Sequence, residues 1–537
     1  MPATANIIDR DVTIVGGGFG GCYLLKLLRD RGFSTILLEA GARLGGVWAW
    51  SCYPGARVDC ELPYYGYSDP DIWSTWNWTE RFPEYKQLRS YFEHVDEVWK
   101  LSQDCVLNTQ VTGAVWQEEA GVWLVTTRDG QQYRSTWLMA ATGTSFKPNI
   151  AKIKGLDTFK GAMHHSAAWP EEGVEMEGKR VAIIGAGSTG IQVVQEAAKV
   201  ADQVVQFIRT PNFAIPMRQR QISEQEIYAN KSHIQHVFKA CRETRTGLPI
   251  VGNGKNTFDV SDEERMKTWD ELWKRGGFNW SQGGFSDTIL SKDANREAYK
   301  YWCRKTRERI SDPRKADILA PKDMPYWIST KRPSLEQDYY EMCDQANVDI
   351  TNSAIEEVTA NGVRTKDGKV YEVDIIALCT GYDAVTGGLR TMGIKGKEGI
   401  DLDEKWKDGV ITHLGMIANG FPNMFMIYGP QAPTSLTNGP PFLELQVEWI
   451  VDVLEKQREQ KIRSVEPKRE EEEAWRKHTL DLASKTLIVD TPSWWMGANV
   501  EGKKQEMLIY AGGIPAWHKA CVSALEDWKG FETTSIN

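Results

Sequence analysis

Two strand–glycine turn–helix–strand units in one chain of 537 residues, the second followed by a polar, tryptophan-rich stretch, predict an α/β fold. The expected architecture is a pair of Rossmann-like dinucleotide-binding domains, with a helical insertion in the second.

The first unit spans residues 12–40 and reads VTIVGGGFGG, CYLLKLLRDRG and FSTILLEA. A short apolar run closed by glycine suits a buried parallel strand, and Cys22 to Leu28 places apolar residues at helical spacing. In Gly16-x-Gly18-x-x-Gly21 the first glycine permits the tight turn. The second lets the backbone approach a pyrophosphate, and the third allows helix and strand to pack closely. Glu39 ends the second strand 23 positions after Gly16, where a carboxylate can accept hydrogen bonds from a ribose hydroxyl. An incidental glycine turn is the competing reading; the flanking strands and the acid argue against it.

The second unit repeats the plan at 181–209, with Gly185, Gly187 and Gly190 in the same spacing. Its second strand ends in Arg209-Thr210, with no acid at the ribose position. A guanidinium there pairs with a 2′-phosphate bidentately, which predicts NADP rather than NAD. A surface Arg at a strand end is the alternative. A Glu-ended site followed by an Arg-ended site is the order expected of an enzyme that holds FAD and brings NADPH to it. The flavin can then pass electrons to oxygen, a disulfide or another acceptor. Cys52 and Cys60 are the only thiols near the first fingerprint that could serve a disulfide route, and their spacing in a Pro-Gly loop fits no such dithiol well.

Between about residues 217 and 325 the chain turns polar and charged with helical periodicity, as in DEERMKTWDELWKR, and this is the predicted insertion. WLMAATGTSF at 137–146 and VDIIALCTGYDA at 373–384 each run from a short buried strand into a Thr-Gly turn, marking crossings between domains. The expected division is a discontinuous FAD-binding domain, 1–145 and 380–537, and an NADP-binding domain, 146–379. The mixed-sign run KREEEEAWRKH at 468–478 reads as a solvated helix face.

Composition narrows the class further. With 64 basic and 73 acidic side chains the net charge is −9, which argues against a nucleic-acid partner. Nine scattered cysteines without a Cys-x-x-Cys pair suit reduced thiols, hence a cytoplasmic location. The start, MPATANIIDRD, shows no secretory pattern, and no run of 18 apolar residues predicts a membrane span, so a soluble protein is expected. His233 and His236 are spaced i,i+3 without a third ligand nearby, and no metal is expected.

Longer motifs carry a resemblance. Phe159-Lys160-Gly161-Ala162-Met163-His164-His165-Ser166-Ala167-Ala168-Trp169-Pro170 resembles the FxGxxxHxxxW(P/D) fingerprint of the Baeyer–Villiger monooxygenases, FAD- and NADPH-dependent class B flavoprotein oxygenases. The segment Gly45 to Asp59, with Gly46, Trp48, Tyr53, Pro54 and Gly55, fills every fixed position of the family's GGxWxxxxYPGxxxD signature. Thr330-Lys331-Arg332, Thr380-Gly381-Tyr382-Asp383, Gly429-Pro430 and Ser493-Trp494 follow in order, so the resemblance runs from about residue 10 to 533. Cys379 stands where the family often has Ala, and Pro333 biases Arg332 to an extended backbone.

The resemblance implies insertion of one oxygen atom from O2 beside a ketone carbonyl, through a C4a-peroxyflavin, to give an ester or lactone. It implies Arg332 as the catalytic cation, oriented by Asp59. Arg209, Thr210 and Lys331 would hold the NADP 2′-phosphate, Trp494 would pack near the nicotinamide, and Gly46 and Trp48 would belong to the flavin site. Phe159, Gly161, His165 and Trp169 would form the hinge between domains, and Leu436 would line the substrate pocket. Trp169 favours ketone oxidation over the rival, an N- or S-oxygenating flavin monooxygenase. An uncoupled, NADPH oxidase-like flavoprotein is the other alternative.

Overall fold

The computed structural model describes residues 7–535; the first six residues of the N-terminal stretch discussed above lie outside that range. The first sheet grows from the first glycine fingerprint. Strand β1 (Ile7–Val15), helix α1 (Phe19–Asp30) and strand β2 (Thr35–Leu38) form a parallel unit, extended on one side by β3 (Cys105–Val106). β4 (Val111–Gln117) and β5 (Val122–Thr127) form an antiparallel meander leading into β6 (Gln132–Ala140), which lies parallel to β1 with Ile14 opposite Met139. All four residues of β2 are buried, as a parallel strand covered on both faces requires.

The second sheet is parallel throughout. Its strands are β7 (Ala162–His165), β8 (Arg180–Ile184), β9 (Gln203–Phe207), β10 (Val348–Thr351) and β11 (Ile375–Leu378). Their spatial order is β10-β9-β8-β11-β7, with helix α2 (Ser188–Val200) joining β8 to β9. The chain then returns to the first sheet. β12 (Ile394–Lys395) pairs with β4, and β13 (Met424–Met426) pairs with the second half of β6, so the C-terminal segment completes the sheet that the N-terminal segment began. Two Rossmann-like domains thus result, the second interrupted.

The interruption is helical. Between β9 and β10 lie α3 (Glu224–Glu243), α4 (Asp262–Arg275), α5 (Lys292–Arg307) and α6 (Pro313–Leu319). Ser223, Ser261, Ser291 and Asp312 accept hydrogen bonds from first-turn N–H groups of these helices, which explains where each begins. Trp269, Trp302 and Tyr301 are buried among them, so the tryptophan-rich composition of this stretch is its core. The insertion docks on the first domain through Arg242 of α3, which pairs with Glu448 of α7 (Gly439–Glu459) and lies 3.7 Å from the buried Glu444.

The two crossings run side by side and antiparallel. Asn149 N–H donates to Gly381 O at 2.9 Å, Asp383 N–H to Lys147 O at 2.8 Å and Val385 N–H to Thr144 O at 3.1 Å. The charged run at 468–478 is helical, but one acid turns inward. Glu472 is 2% exposed and accepts from Lys405 Nζ at 2.7 Å and from Asn419 N–H at 2.9 Å. No helix among the described residues is long and apolar enough to cross a membrane.

His413 sits in a buried turn with its ring against Trp475 and Phe531. Burial pushes its imidazole down to about 4, whereas the unfolded chain binds that proton near pH 6.5. The unfolded state therefore holds more protons between those values, and stability present above about pH 6.5 is lost as pH falls towards 4. At pH 5 the effect amounts to about 2 kcal/mol. A His413→Leu variant is expected to show a smaller drop in Tm between pH 7 and pH 5 than the parent; equal drops would contradict this account.

Candidate active site

The carboxyl ends of β1, β2, β6 and β13 open into a cavity of about 460 Å³. Parallel α/β sheets place ligands at this end, because successive strands send their loops away in opposite directions there. The first fingerprint forms one wall. Gly16 has φ +110°, and a Cβ on it would lie 2.4 Å from Ala141 O. A Cβ on Gly21 would meet Gly16 O at 1.9 Å, so helix and turn approach as only glycine allows. Gly18 N-caps α1 without a side-chain hydrogen bond, leaving first-turn N–H groups free for an anion. Gly46, at φ +56°, faces Gly18 so closely that a Cβ there would lie 2.8 Å from Gly18 Cα.

Glu39 is 5% exposed and accepts from Gly17 N–H at 2.6 Å and Gly41 N–H at 2.7 Å. Burial raises its carboxyl, and the two N–H groups pull the other way. The bare glycine wall, the uncapped helix and the anchored acid together fit the pyrophosphate and ribose of a dinucleotide.

The second fingerprint repeats this geometry. Gly185 has φ +129°, with a Cβ position 2.2 Å from Cys379 O, and a Cβ on Gly190 would lie 2.3 Å from Gly185 O. Gly187 N-caps α2 without a side-chain bond, and nothing lies within 4 Å of its Cβ position. Ala141 and Cys379, the residues on which the two turns rest, are the first of each crossing. Ser188 and Thr189 of α2 line the same cavity as Gly16 to Gly20, so both fingerprints open into one space.

Arg209 and Lys331 lie apart from that space, and neither forms an ion pair among the described residues. Burial lowers the Lys331 ammonium, and the Arg209 charge lowers it further. Its Nζ sits 4.1 Å from the centre of the Tyr326 ring. Two cations close enough to repel, with no acid between them, fit a phosphate. Thr210 is half-buried beside Arg209.

Asp59 and Arg332, 273 residues apart, meet on the cavity wall. Arg332 Nε donates to Asp59 Oδ2 at 2.7 Å and Nη2 to Oδ1 at 2.8 Å, a bidentate pair. Its Nη1 donates to Ser435 O at 2.9 Å, and Phe278 from the insertion covers the guanidinium with its ring centre 5.1 Å away. Burial pulls the guanidinium pKa down, but Asp59 outweighs this and drives it further up, so the charge is permanent. Trp48 donates to Tyr65 Oη at 3.0 Å, and both line the cavity with Trp494.

The residues of the FxGxxxHxxxW segment lie on and around β7, the edge strand of the second sheet. A Cβ on Gly161 would lie 2.3 Å from Asp374 O, and Phe159 packs against the core of the second sheet. Trp169 is 4% exposed in the core shared by both domains, where its carbonyl accepts from Cys52 Sγ at 3.2 Å. Cys60 Sγ is 3.6 Å from Asp59 Oδ1, so each of the two thiols has its own partner. His165 Nδ1 accepts from Ala167 N–H at 3.1 Å, while Nε2 lies 3.2 Å from Thr380 Oγ1. The Thr380 proton goes to Asn149 O at 2.6 Å, which leaves Nε2 as donor and fixes the neutral tautomer. Burial lowers its pKa in the same sense. His165 thereby ties the two crossings to the second sheet.

Leu436 departs from expectation. Ser435 and Thr437 line the cavity, whereas Leu436 packs against the core of the first sheet. The left-handed backbone at Ser435, φ +62°, sets the turn that separates them. Ser435, Phe278, Tyr65 and Tyr428 were not singled out from sequence, because none belongs to a short motif whose spacing signals chemistry.

Fold and cavity define a flavoprotein oxidoreductase with two dinucleotide sites facing one reaction space. Residues 10–257 match the pyridine nucleotide-disulphide oxidoreductase family. Over 98% of its length the chain is 39% identical to cyclopentanone 1,2-monooxygenase of a Comamonas species, covering 96% of that protein. It is 35% identical to a phenazine N-monooxygenase of Lysobacter antibioticus, with 98% of each chain covered. The crystal structure of cyclohexanone monooxygenase from Rhodococcus sp. Phi1 bound to NADP+ superposes with a TM-score of 0.95 at 34% identity, covering 99% of this chain and 100% of that one. The chain belongs to the class B, Baeyer–Villiger-type flavoprotein monooxygenases, enzymes that depend on FAD and NADPH.

Removing one charge-assisted hydrogen bond to a phosphate forfeits about 1.5 to 3 kcal/mol. Arg209→Ala and Lys331→Ala should each raise the KM for NADPH by roughly 10- to 100-fold while changing turnover with NADH little. Equal effects on the two nucleotides would remove the phosphate assignment.

Proposed function

We propose that the enzyme inserts one oxygen atom from O2 beside the carbonyl of a ketone, yielding an ester or lactone and consuming NADPH. In this reading FAD is carried by residues 1–145 and 380–537 and NADP by 146–379. Bound FAD supplies oxygen activation, and bound NADPH supplies the hydride that makes it possible. The chain's own part is electrostatic. Arg332, held bidentately by the Asp59 carboxylate, presents a cation that cannot serve as a proton donor at working pH, so it stabilises negative charge without quenching it. Glu39 and the two uncapped helices orient the cofactors, and Ser188 and Thr189 bring the second site to the cavity that holds the first.

The observation that carries this reading is the bidentate Asp59–Arg332 pair on the wall where both fingerprints open. Relatives named for cyclopentanone and cyclohexanone support a ketone as substrate. The N-oxygenating relative keeps heteroatom oxidation as the rival, which a ketone and a thioether assayed side by side separate.

Loss of a preorganised charge at such a centre amounts to about 3 to 4 kcal/mol. Arg332→Ala is expected to keep flavin reduction by NADPH while ester formation falls roughly 100- to 1,000-fold and hydrogen peroxide appears instead. Arg332→Lys should recover little, since an ammonium cannot reproduce the fork that Asp59 holds. Ester formation at the parental rate in Arg332→Ala would defeat the proposal.

A further inference from the structure

The loop after β13 carries a group that the fingerprints do not use. Tyr428 lies two residues beyond the strand, in left-handed backbone at φ +60°, and its ring lines the cavity. Its N–H donates to Gln446 Oε1 at 2.9 Å, which fastens the residue to α7. The phenol oxygen accepts from Ser435 N–H at 3.2 Å and lies beside the Ser435 hydroxyl, which favours the phenolate as a second donor does. A hydroxyl has one proton to give, and with both Ser435 groups acting as donors that proton is left for an acceptor in the cavity. A Cβ on Gly439 would lie 3.8 Å from the same oxygen, so the hydroxyl stands over the first turn of α7, whose Gly439 and Pro440 also line the cavity. Arg332 donates to the carbonyl of Ser435, the residue whose N–H the phenol accepts, so phenol and guanidinium flank one peptide segment. Burial raises the phenol pKa and Arg332 lowers it, leaving the rise in control, so the group stays protonated and keeps its proton available to donate.

We propose that Tyr428 donates a hydrogen bond to a carbonyl oxygen bound in the cavity, as a second donor beside Arg332. The inference rests on the ketone reading for one of two sources of that oxygen, the substrate carbonyl; the other source is a carbonyl of the isoalloxazine ring.

The test uses the FAD-loaded, full-length enzyme with cyclopentanone and methyl phenyl sulfide as substrates. Tyr428→Phe is expected to be reduced by NADPH within about twofold of the parental rate while cyclopentanone oxidation falls at least roughly tenfold. If the substrate carbonyl is the acceptor, sulfide oxidation, the flavin absorption spectrum and the reduction potential stay parental. If a ring carbonyl is the acceptor, the spectrum and potential shift and both oxidations fall together. Tyr428→3-fluorotyrosine, close in size and a stronger donor, should equal or exceed the parent in the affected reaction, and it decides the matter should the Phe variant fold poorly.

Parental ketone rate, spectrum and potential in both variants would overturn the proposal. So would loss of both oxidations with no spectral or potential shift, the signature of a displaced Arg332. A parent enzyme that oxidises the sulfide but no ketone would defeat the ketone reading, leaving spectrum and potential to decide the role of Tyr428.

Discussion

A guanidinium kept charged inside a protein needs a fixed counter-charge, and the Asp59–Arg332 pair is the constraint around which this molecule is arranged. Desolvation opposes the charge, and the bidentate carboxylate overcomes it. Four stretches remote in sequence meet at one point: the loop before Asp59, the exit from the insertion at Arg332, the Ser435 turn and the Phe278 ring. The pair is half-buried on the cavity wall, so removing one partner leaves the other charge partly desolvated and without its counter-ion. Fold, insertion and C-terminal return must all form before the site exists.

Arg209 and Lys331 show the opposite use of charge. No acid among the described residues pairs with them, and the Arg209 charge disfavours that of Lys331. Two like charges at this separation carry an electrostatic cost that a phosphate between them would relieve. One protein therefore holds one cation paired on the cavity wall and two others without an acid among the described residues.

Between these centres lies the ribbon of two crossings. Its backbone hydrogen bonds join residues 144–149 to 381–385, and neutral His165 links it to the edge of the second sheet through Thr380. The first residue of each crossing also carries the carbonyl on which a fingerprint glycine rests. Both dinucleotide turns therefore rest on one hydrogen-bonded ribbon.

The sequence alone determined both nucleotide folds, the insertion and the members of the central ion pair, because their signals are local or motif-borne: glycines at required spacing, buried apolar runs, and a signature ending in Asp59. It also placed Arg209 and Lys331 together through the resemblance. Only the tertiary structure decided which way each loop side chain turns. Leu436 faces the core while Ser435 and Tyr428 face the cavity, since that depends on left-handed residues within a packed loop, and Glu472 is buried within a run that reads as solvated. Periodicity reports which face of a regular element is apolar, whereas a loop's orientation is set by what lies across from it, and that partner is hundreds of residues away in the chain.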